Sequence, residues 1–307
     1  PGIWNDWKAQ LLAELYERTT LSLSGKFDKP NLEQQLKTTK EKALRLYAKS
    51  NSNAEDQQRL SEELNAMPVH YLVSASAENM VQDMQIAMRL TDHQLEIVDR
   101  YDEDTNTLEL TILTRQHGSE RCFHRMTGVL TAAHMSILTA DIYTSGSGFI
   151  CDRFLIQDHD SPGRPLPARL EKVRENLAKA VERPISFEQL FQKQRRYRTK
   201  SEQNPISNQR PHVSMDNDTS YHATIIDIFA HDRPGLLFTL SKAIYDLDLS
   251  ISLARITTHV DLVVDVFYVT DLDGHKIKDD YVLTAIASRL EHVIDEFDRH
   301  GYRLFIT

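Results

Sequence analysis

Residues Tyr221–Asp273 read YHATIIDIFAHDRPGLLFTLSKAIYDLDLSISLARITTHVDLVVDVFYVTDLD, and this stretch decides the fold. Tyr221–Ala230 is a β-branched, apolar run that breaks at His231-Asp232-Arg233-Pro234-Gly235. Leu236, Leu237, Leu240, Ile244 and Leu247 then recur at helical spacing, and two strand-like runs follow, Ser250–Thr258 and Leu262–Asp271. The order is strand, tight loop, helix, strand, hairpin, strand. Pro234 fixes φ and has no N–H, which suits a first helical turn, while Gly235 permits a sharp bend and close approach of another group. A strand feeding a helix through such a loop leaves N–H groups pointing outward, where they favour a carboxylate or another anion.

Through Asp232–Leu237, the helix up to Asp246–Leu249 and the strand Ser250–Thr258, the chain resembles the ACT domain. That small βαββαβ module often binds amino acids and regulates an attached enzyme. The run Asp265–Gly274, DVFYVTDLDG, is similar to the last ACT domain of the bifunctional PII uridylyltransferase/uridylyl-removing enzymes. The opening Trp4–Leu12 and Glu14–Thr19 resemble the segment that joins the hydrolytic HD domain of those enzymes to their regulatory tail.

A second copy of the unit lies upstream. Ser136–Thr144 (SILTADIYT) matches Ser250–Thr258 (SISLARITT), and Asp152, Phe154, Asp158 and Asp160 match Asp265, Phe267, Asp271 and Asp273 at identical spacings. The two copies are offset by roughly 114 residues. The expected architecture is therefore α+β, with a helical segment at 1–91, a first ACT-like domain at 92–216 and a second at 217–307, each ferredoxin-like. In the helical segment Trp4, Trp7, Leu11, Leu15 and Tyr16 form an apolar stripe, Lys26–Asn31 is a polar break, and helices follow at Leu32–Ala48, Ala54–Asn65 and Asn79–Leu90. In the first unit Leu95–Tyr101 and Thr107–Thr114 form a hairpin, followed by helix Cys122–Ala133, strands Ser136–Thr144 and Phe149–Asp158, and helix Pro167–Val181. Residues 183–210 read as a polar and basic linker, and Pro211–Asp216 as the strand that closes the first unit. Tyr281–Phe297 and Arg303–Thr307 are the closing helix and strand of the second.

Composition limits the function. The chain has 307 residues, is 40% hydrophobic and 26% charged, and carries a net charge of −9, which argues against general nucleic-acid binding. Arg196-Tyr197-Arg198 could touch RNA or an acidic partner, but a linker or exposed loop is the better explanation. No apolar run has the length of a membrane span, no signal peptide opens the chain, and two cysteines, Cys122 and Cys151, make neither a disulfide framework nor a metal knuckle. The expected compartment is the cytoplasm. Pro1 in place of Met suggests a chain that begins inside a longer protein.

Candidate effector-binding residues are Asp232, Arg233, Pro234, Gly235, Leu236 and Ser250, with a weaker first-copy site at Gly118, Ser119 and Ser136. Arg233 is expected to be solvated or paired with an acid. An Asn common in the wider superfamily two residues into the second strand is replaced by Ser136 and Ser250. The alternative for the loop is a bend that binds nothing. Asp271-Leu272-Asp273 mimics a Mg²⁺-binding carboxylate pair, and His159-Asp160 and His231-Asp232 mimic an HD dipeptide, yet all sit at strand ends where turns are expected. Neither a catalytic group nor a cofactor or metal site is expected in this chain; Mg²⁺ belongs to the absent catalytic domains of the longer enzyme that the resemblance implies. It also implies a nitrogen sensor that uridylylates PII when glutamine is scarce and removes the UMP when it is plentiful. The partners would be glutamine or another small amino acid, PII and the enzyme's own catalytic domains. The alternative function is a dimerisation or PII-docking scaffold with no small-molecule ligand, and a homodimer fits either.

Overall fold

Eight runs with strand periodicity pair into one antiparallel sheet, because each has an apolar face to bury and a neighbour that completes its backbone hydrogen bonds. The computed structural model describes residues 29–51, 53–92, 94–115, 122–158, 160–161, 163–182, 211–220, 222–231, 233, 235–259 and 262–300. Its elements are helices α1 (Lys29–Ser50), α2 (Ala54–Ala66), α3 (Val69–Ser74) and α4 (Ala77–Ala87), then β1 (Leu95–Asp102), β2 (Thr107–Arg115), α5 (Phe123–Ala132), β3 (Met135–Thr144), β4 (Phe149–Asp158) and α6 (Pro167–Glu182). A second set follows: β5 (His212–Asp216), β6 (Thr224–His231), α7 (Leu236–Asp246), β7 (Ser250–His259), β8 (Leu262–Thr270) and α8 (Asp280–His300). The strand order is β1-β2-β4-β3-β7-β8-β6-β5, so each half is a ββαββα unit.

One expectation is corrected. Pro211–Asp216 does not close the first unit; β5 pairs with β6, Val213 opposite Ile228 and Met215 opposite Ile226. The reason is local. Only residues 217–223 separate the two strands, so antiparallel pairing closes a short loop at little entropic cost, and Val213 becomes buried. The corresponding place in the first unit is held by β1, paired with β2. Each unit thus carries its flanking strand in front of the module. The expected strand Arg303–Thr307, the first helix, the linker 183–210 and the two tryptophans lie outside the described residues.

The helical segment also differs in detail. α1 begins at Lys29 with Pro30 in its first turn, where a missing N–H costs nothing, so the expected polar break at Lys26–Asn31 is partly helical. α2 is capped by Asn53, whose side chain accepts the Glu55 N–H, and α4 by Ser76, which accepts the Asn79 N–H. The short α3, between Pro68 and Ala75, was not expected.

α5, α6, α7 and α8 cover one face of the sheet, where Phe154, Ile156, Phe267 and Val269 meet Leu130, Leu177, Leu240 and Ile294 in one core. α1–α4 pack on the opposite face of the first unit, where Leu113, Tyr143, Phe149 and Cys151 join Leu60, Tyr71, Met80 and Met84. β4 therefore divides its side chains between two layers. Ile150, Asp152 and Phe154 point one way, and Cys151 and Arg153 the other.

The units join through β3 and β7, with Ala140 directly opposite Ala254. Beneath this seam the Oγ atoms of Thr127 and Ser241, on α5 and α7, lie 3.0 Å apart. Thr127 and Ser241 are 114 positions apart, and Ala140 and Ala254 share that interval. Equivalent residues face one another, as a two-fold axis requires. Both alanines are 0% exposed, so the seam has no spare volume. Ala254→Phe is expected to lower stability by about 1–3 kcal/mol through overpacking, measured by urea unfolding. No shift of the unfolding midpoint would contradict a tightly packed seam.

Candidate functional site

The described part of the Pro-Gly loop is a structural clip. Gly235 has φ 93°, a left-handed conformation that favours glycine, and it accepts both the N–H and the Oγ1–H of Thr239 on its carbonyl, at 2.9 and 2.8 Å. The Leu236 N–H donates to the Arg233 carbonyl at 3.0 Å, and the Leu236 side chain enters the core, 3% exposed. Arg233 turns away towards α8. Its Nη1 donates to the Asp298 carbonyl at 2.9 Å and its Nε lies 3.7 Å from Asp298 Oδ1, placing a cation at the helix C-terminus. His231 Nδ1 is 3.3 Å from Asp298 Oδ2, so both side chains secure the loop to that helix. Asp232, Pro234, Gly118 and Ser119 lie outside the described residues.

Ser250 is elsewhere. Helix α7 separates it from Gly235, and 11 residues at 1.5 Å each put roughly 16 Å between the two ends. Ser250 therefore lies away from the loop of its own unit. The antiparallel junction of β3 with β7 brings the start of β7 beside the other unit's helix start, and it places Ser136, at the start of β3, towards the far end of β7.

Ser250 lines a cavity of about 770 Å³ at this seam, a volume in the range of small-molecule sites. The first unit contributes Cys122, Phe123 and His124 from the beginning of α5, with Ile142 and Thr144 of β3 and Ile150 and Asp152 of β4. The second contributes Ser241 and Tyr245 of α7, Ser250 and Ser252 of β7, and the turn after β8. His124 and Tyr245 bridge the units, their ring centroids 4.3 Å apart. Pro68 and Val69 of the helical segment complete the wall. Three parts of the chain thus surround one space.

Asp152 is its least expected feature. The side chain is 2% exposed, and Oδ1 has no hydrogen-bond partner among the described residues. Burial pushes its carboxyl up to about 8, against a lowering hydrogen bond from the Tyr143 backbone. A signal was present in the sequence. In FICDRFLI every second residue from Ile150 faces the α5 side, and Asp152 is the charged residue in that apolar phase. Read as a repeat marker alone, it passes for a coincidence of spacing.

The other face of β4 carries a polar network against the helical segment. Asp83 Oδ2 accepts hydrogen bonds from Tyr71 Oη and Arg153 Nη2, each 2.9 Å, and Cys151 Sγ lies 3.6 Å away. Burial pushes the Asp83 carboxyl upward against the lowering pull of Arg153, and it pushes the Cys151 thiol up as well. Burial disfavours the Arg153 cation, but the combined attraction of Asp83, Cys151, Glu109 and Tyr71 outweighs it and the guanidinium stays charged. Tyr143 Oη meets Ser74 Oγ at 2.6 Å. At the β3–β4 turn the Gly146 N–H donates to the Ala66 carbonyl at 2.9 Å, while Ser147 Oγ and Arg115 Nη2 both donate to the Glu63 carboxylate, at 2.9 and 2.6 Å.

The paired acids at strand ends serve turns. Asp271 Oδ1 accepts the N–H groups of Asp273 and His275, at 3.0 and 2.8 Å, and Asp158 accepts the Asp160 N–H and a two-point contact from Arg169. Asp271, Asp273 and His275 have ligand atoms within 4.8 Å of one another, but they are mostly exposed and committed to the turn. Cys122 and Cys151 are both buried free thiols. Among the described residues no helix is long and apolar enough to cross a membrane.

Two expectations follow. Because the Asp152 carboxyl is displaced above its ordinary 3.8, the folded state holds a proton that the unfolded state releases. Its contribution to stability is complete below pH 3.8 and is lost as pH rises through about 8. Asp152→Asn should therefore flatten the fall in stability between these limits by up to about 1.4 kcal/mol per pH unit, measured by denaturant unfolding at several pH values. An unchanged slope would contradict a buried, protonated Asp152. Asp83→Ala leaves the buried Arg153 charge with only the more distant Glu109 carboxylate, 4.0 Å from its Nε, and should cost about 3–5 kcal/mol in the same assay, whereas a loss under about 1 kcal/mol would mean that the network contributes little.

Comparison with known proteins gives this geometry a context. Residues 219–296 match the ACR family N-terminal ACT domain. Over 299 residues the chain is 30% identical to the bifunctional uridylyltransferase/uridylyl-removing enzyme of Azospirillum brasilense, an alignment covering 96% of this chain and 31% of that protein. The enzymes of the same name from Erythrobacter litoralis and Pseudomonas putida are 28% and 27% identical, over 94% and 96% of this chain and 31% and 32% of theirs. The chain spans about a third of the length of the curated relatives it matches. It is similar, along nearly all of its own length, to the ACT-containing C-terminal part of bifunctional uridylyltransferase/uridylyl-removing enzymes.

Proposed function

We propose that this chain is the amino-acid-sensing, regulatory portion of a uridylyltransferase/uridylyl-removing enzyme, with glutamine as its effector and PII as the substrate of the whole enzyme. The observation that carries this reading is the seam cavity, whose wall is built jointly by both ACT-like units and by the helical segment. A ligand there touches all three parts. It therefore favours whichever arrangement of them gives it the better fit, and it can shift that balance only by the difference in its affinity for the alternatives.

β4 supplies a physical route for the shift. Asp152 faces the cavity, while its neighbours Cys151 and Arg153 sit in the network of Asp83 and Tyr71. A displacement of this strand is felt on both faces at once, because Asp152 lines the cavity on one and Cys151 and Arg153 are close-packed on the other. The helical segment would then pass the bias to catalytic domains outside this chain. Those domains would transfer UMP to PII, with Mg²⁺, when the cavity is empty and remove it when the cavity is filled.

Calorimetric titration with L-glutamine tests the reading. Saturable binding is expected, weakened tenfold or more by Ser250→Phe, which fills the cavity, with thermal unfolding as the control for folding. A silent titration of folded protein would remove the sensing role and leave a docking scaffold. Binding unaffected by Ser250→Phe would place the effector elsewhere.

A further inference from the structure

We propose that Asp152 is the anchor for a primary ammonium group in the seam cavity, so that the ligand is recognised by its amino end and not by its carboxylate alone. This inference rests on the reading of the cavity as an amino-acid site and specifies how that site selects.

The geometry points this way from three sides. First, Asp152 belongs to the cavity wall, is 2% exposed, and holds Oδ1 without a partner among the described residues, a costly arrangement unless something else pairs with it. The Tyr143 backbone is a hydrogen-bonding neighbour of the carboxyl, and Oδ1 is itself shielded from solvent, so pairing with an ammonium group requires the side chain to turn into the cavity. Second, no lysine or arginine is among the described residues that line the cavity. The titratable groups that share it with Asp152 are Cys122 and His124 from the α5 end, Tyr245 of α7, His222, and Asp273 of the turn after β8. Among the described residues the wall offers negative charge to a cation and no permanent cation to an anion. Third, the strands flanking Asp152 place isoleucines beside it: it is opposite Ile112 on β2 and Ile142 on β3. A charge set among aliphatic groups attracts a counter-charge more strongly than one in water.

Recognition by this residue has a proton cost. In the empty site burial keeps the carboxyl protonated up to about pH 8. Pairing with an ammonium ion requires the carboxylate, so the Asp152 proton leaves to solvent as the ligand enters, and the ligand keeps all three of its own. At neutral pH close to one proton is released for each ligand bound. Affinity rises towards tenfold per pH unit until the carboxyl ionises without help. A protonated Asp152 that merely donated a hydrogen bond to a ligand oxygen would release none.

The experiment titrates the folded chain with L-glutamine and with 4-carbamoylbutanoate, which is glutamine without its amino group. Calorimetry in buffers of different ionisation enthalpy, at pH 6 to 8, gives the proton count. The proposal expects binding of glutamine with release of close to one proton at pH 7, at least tenfold weaker binding of the deaminated analogue, and an Asp152→Asn variant that loses tenfold or more in affinity together with the pH dependence. Equal binding of both compounds, release of no proton, or an Asp152→Asn variant with undiminished affinity would each overturn the anchor while leaving the amino-acid site in place. A wild-type chain that binds neither compound nor any of the other common amino acids would overturn the site itself, and the anchor with it. Asp152→Glu, which keeps the charge but lengthens the side chain, separates folding from recognition: a folded protein with weakened glutamine binding and retained proton release supports the anchor.

Discussion

The antiparallel pairing of β3 with β7 is the contact on which the arrangement depends. Ala140 opposite Ala254 is a small pair at the centre of an eight-stranded sheet, and it lets the helices beneath approach until Thr127 and Ser241 meet. Two modules that would each end in an exposed strand edge instead complete one another, which removes an edge prone to unwanted pairing. The same junction determines which residues can share a ligand. It places the start of one unit's second strand beside the helix start of the other, so a site at the seam cannot be assembled by either unit alone.

The helical segment makes the two copies unequal. α1–α4 cover the outer face of the first unit and contribute Pro68 and Val69 to the cavity wall, whereas Phe229 of the second unit is 45% exposed. A single strand, β4, carries the cavity-facing Asp152 between two residues that belong to the buried network with Asp83. Buried ion pairs of this kind contribute little net stability compared with apolar packing, yet they tolerate displacement poorly because each partner was desolvated to form them. That intolerance suits a junction which must either hold one geometry or yield to another.

Much of the fold could be read in the chain. Alternation in 95–115 and 135–158, the Pro-Gly punctuation before α7 and the paired motifs in two copies all reflect local physics, and they led to the right elements and to the duplication. Two features could not be read that way. The placement of β5 depends on which neighbour its backbone pairs with, and the residues of the strand suit either unit equally well. The composition of the site depends on the relative direction of two strands far apart in sequence, so Ser250 was grouped with Gly235 when α7 in fact holds them at opposite ends. Asp152 was visible as a repeated acid, but its meaning required the knowledge that its strand phase faces a cavity and not a filled core.

The central claim is that a small molecule at the seam is felt by both units and by the helical segment together. Hydrogen exchange with and without saturating L-glutamine measures this directly. Sensing through the seam predicts slowed exchange at the start of α5, at the beginning of β7 and along β4, together with a change in α3 and α4 on the far face of that strand. Slowed exchange confined to the Gly235 loop and α8, with β4 and the helical segment unaltered, would contradict it.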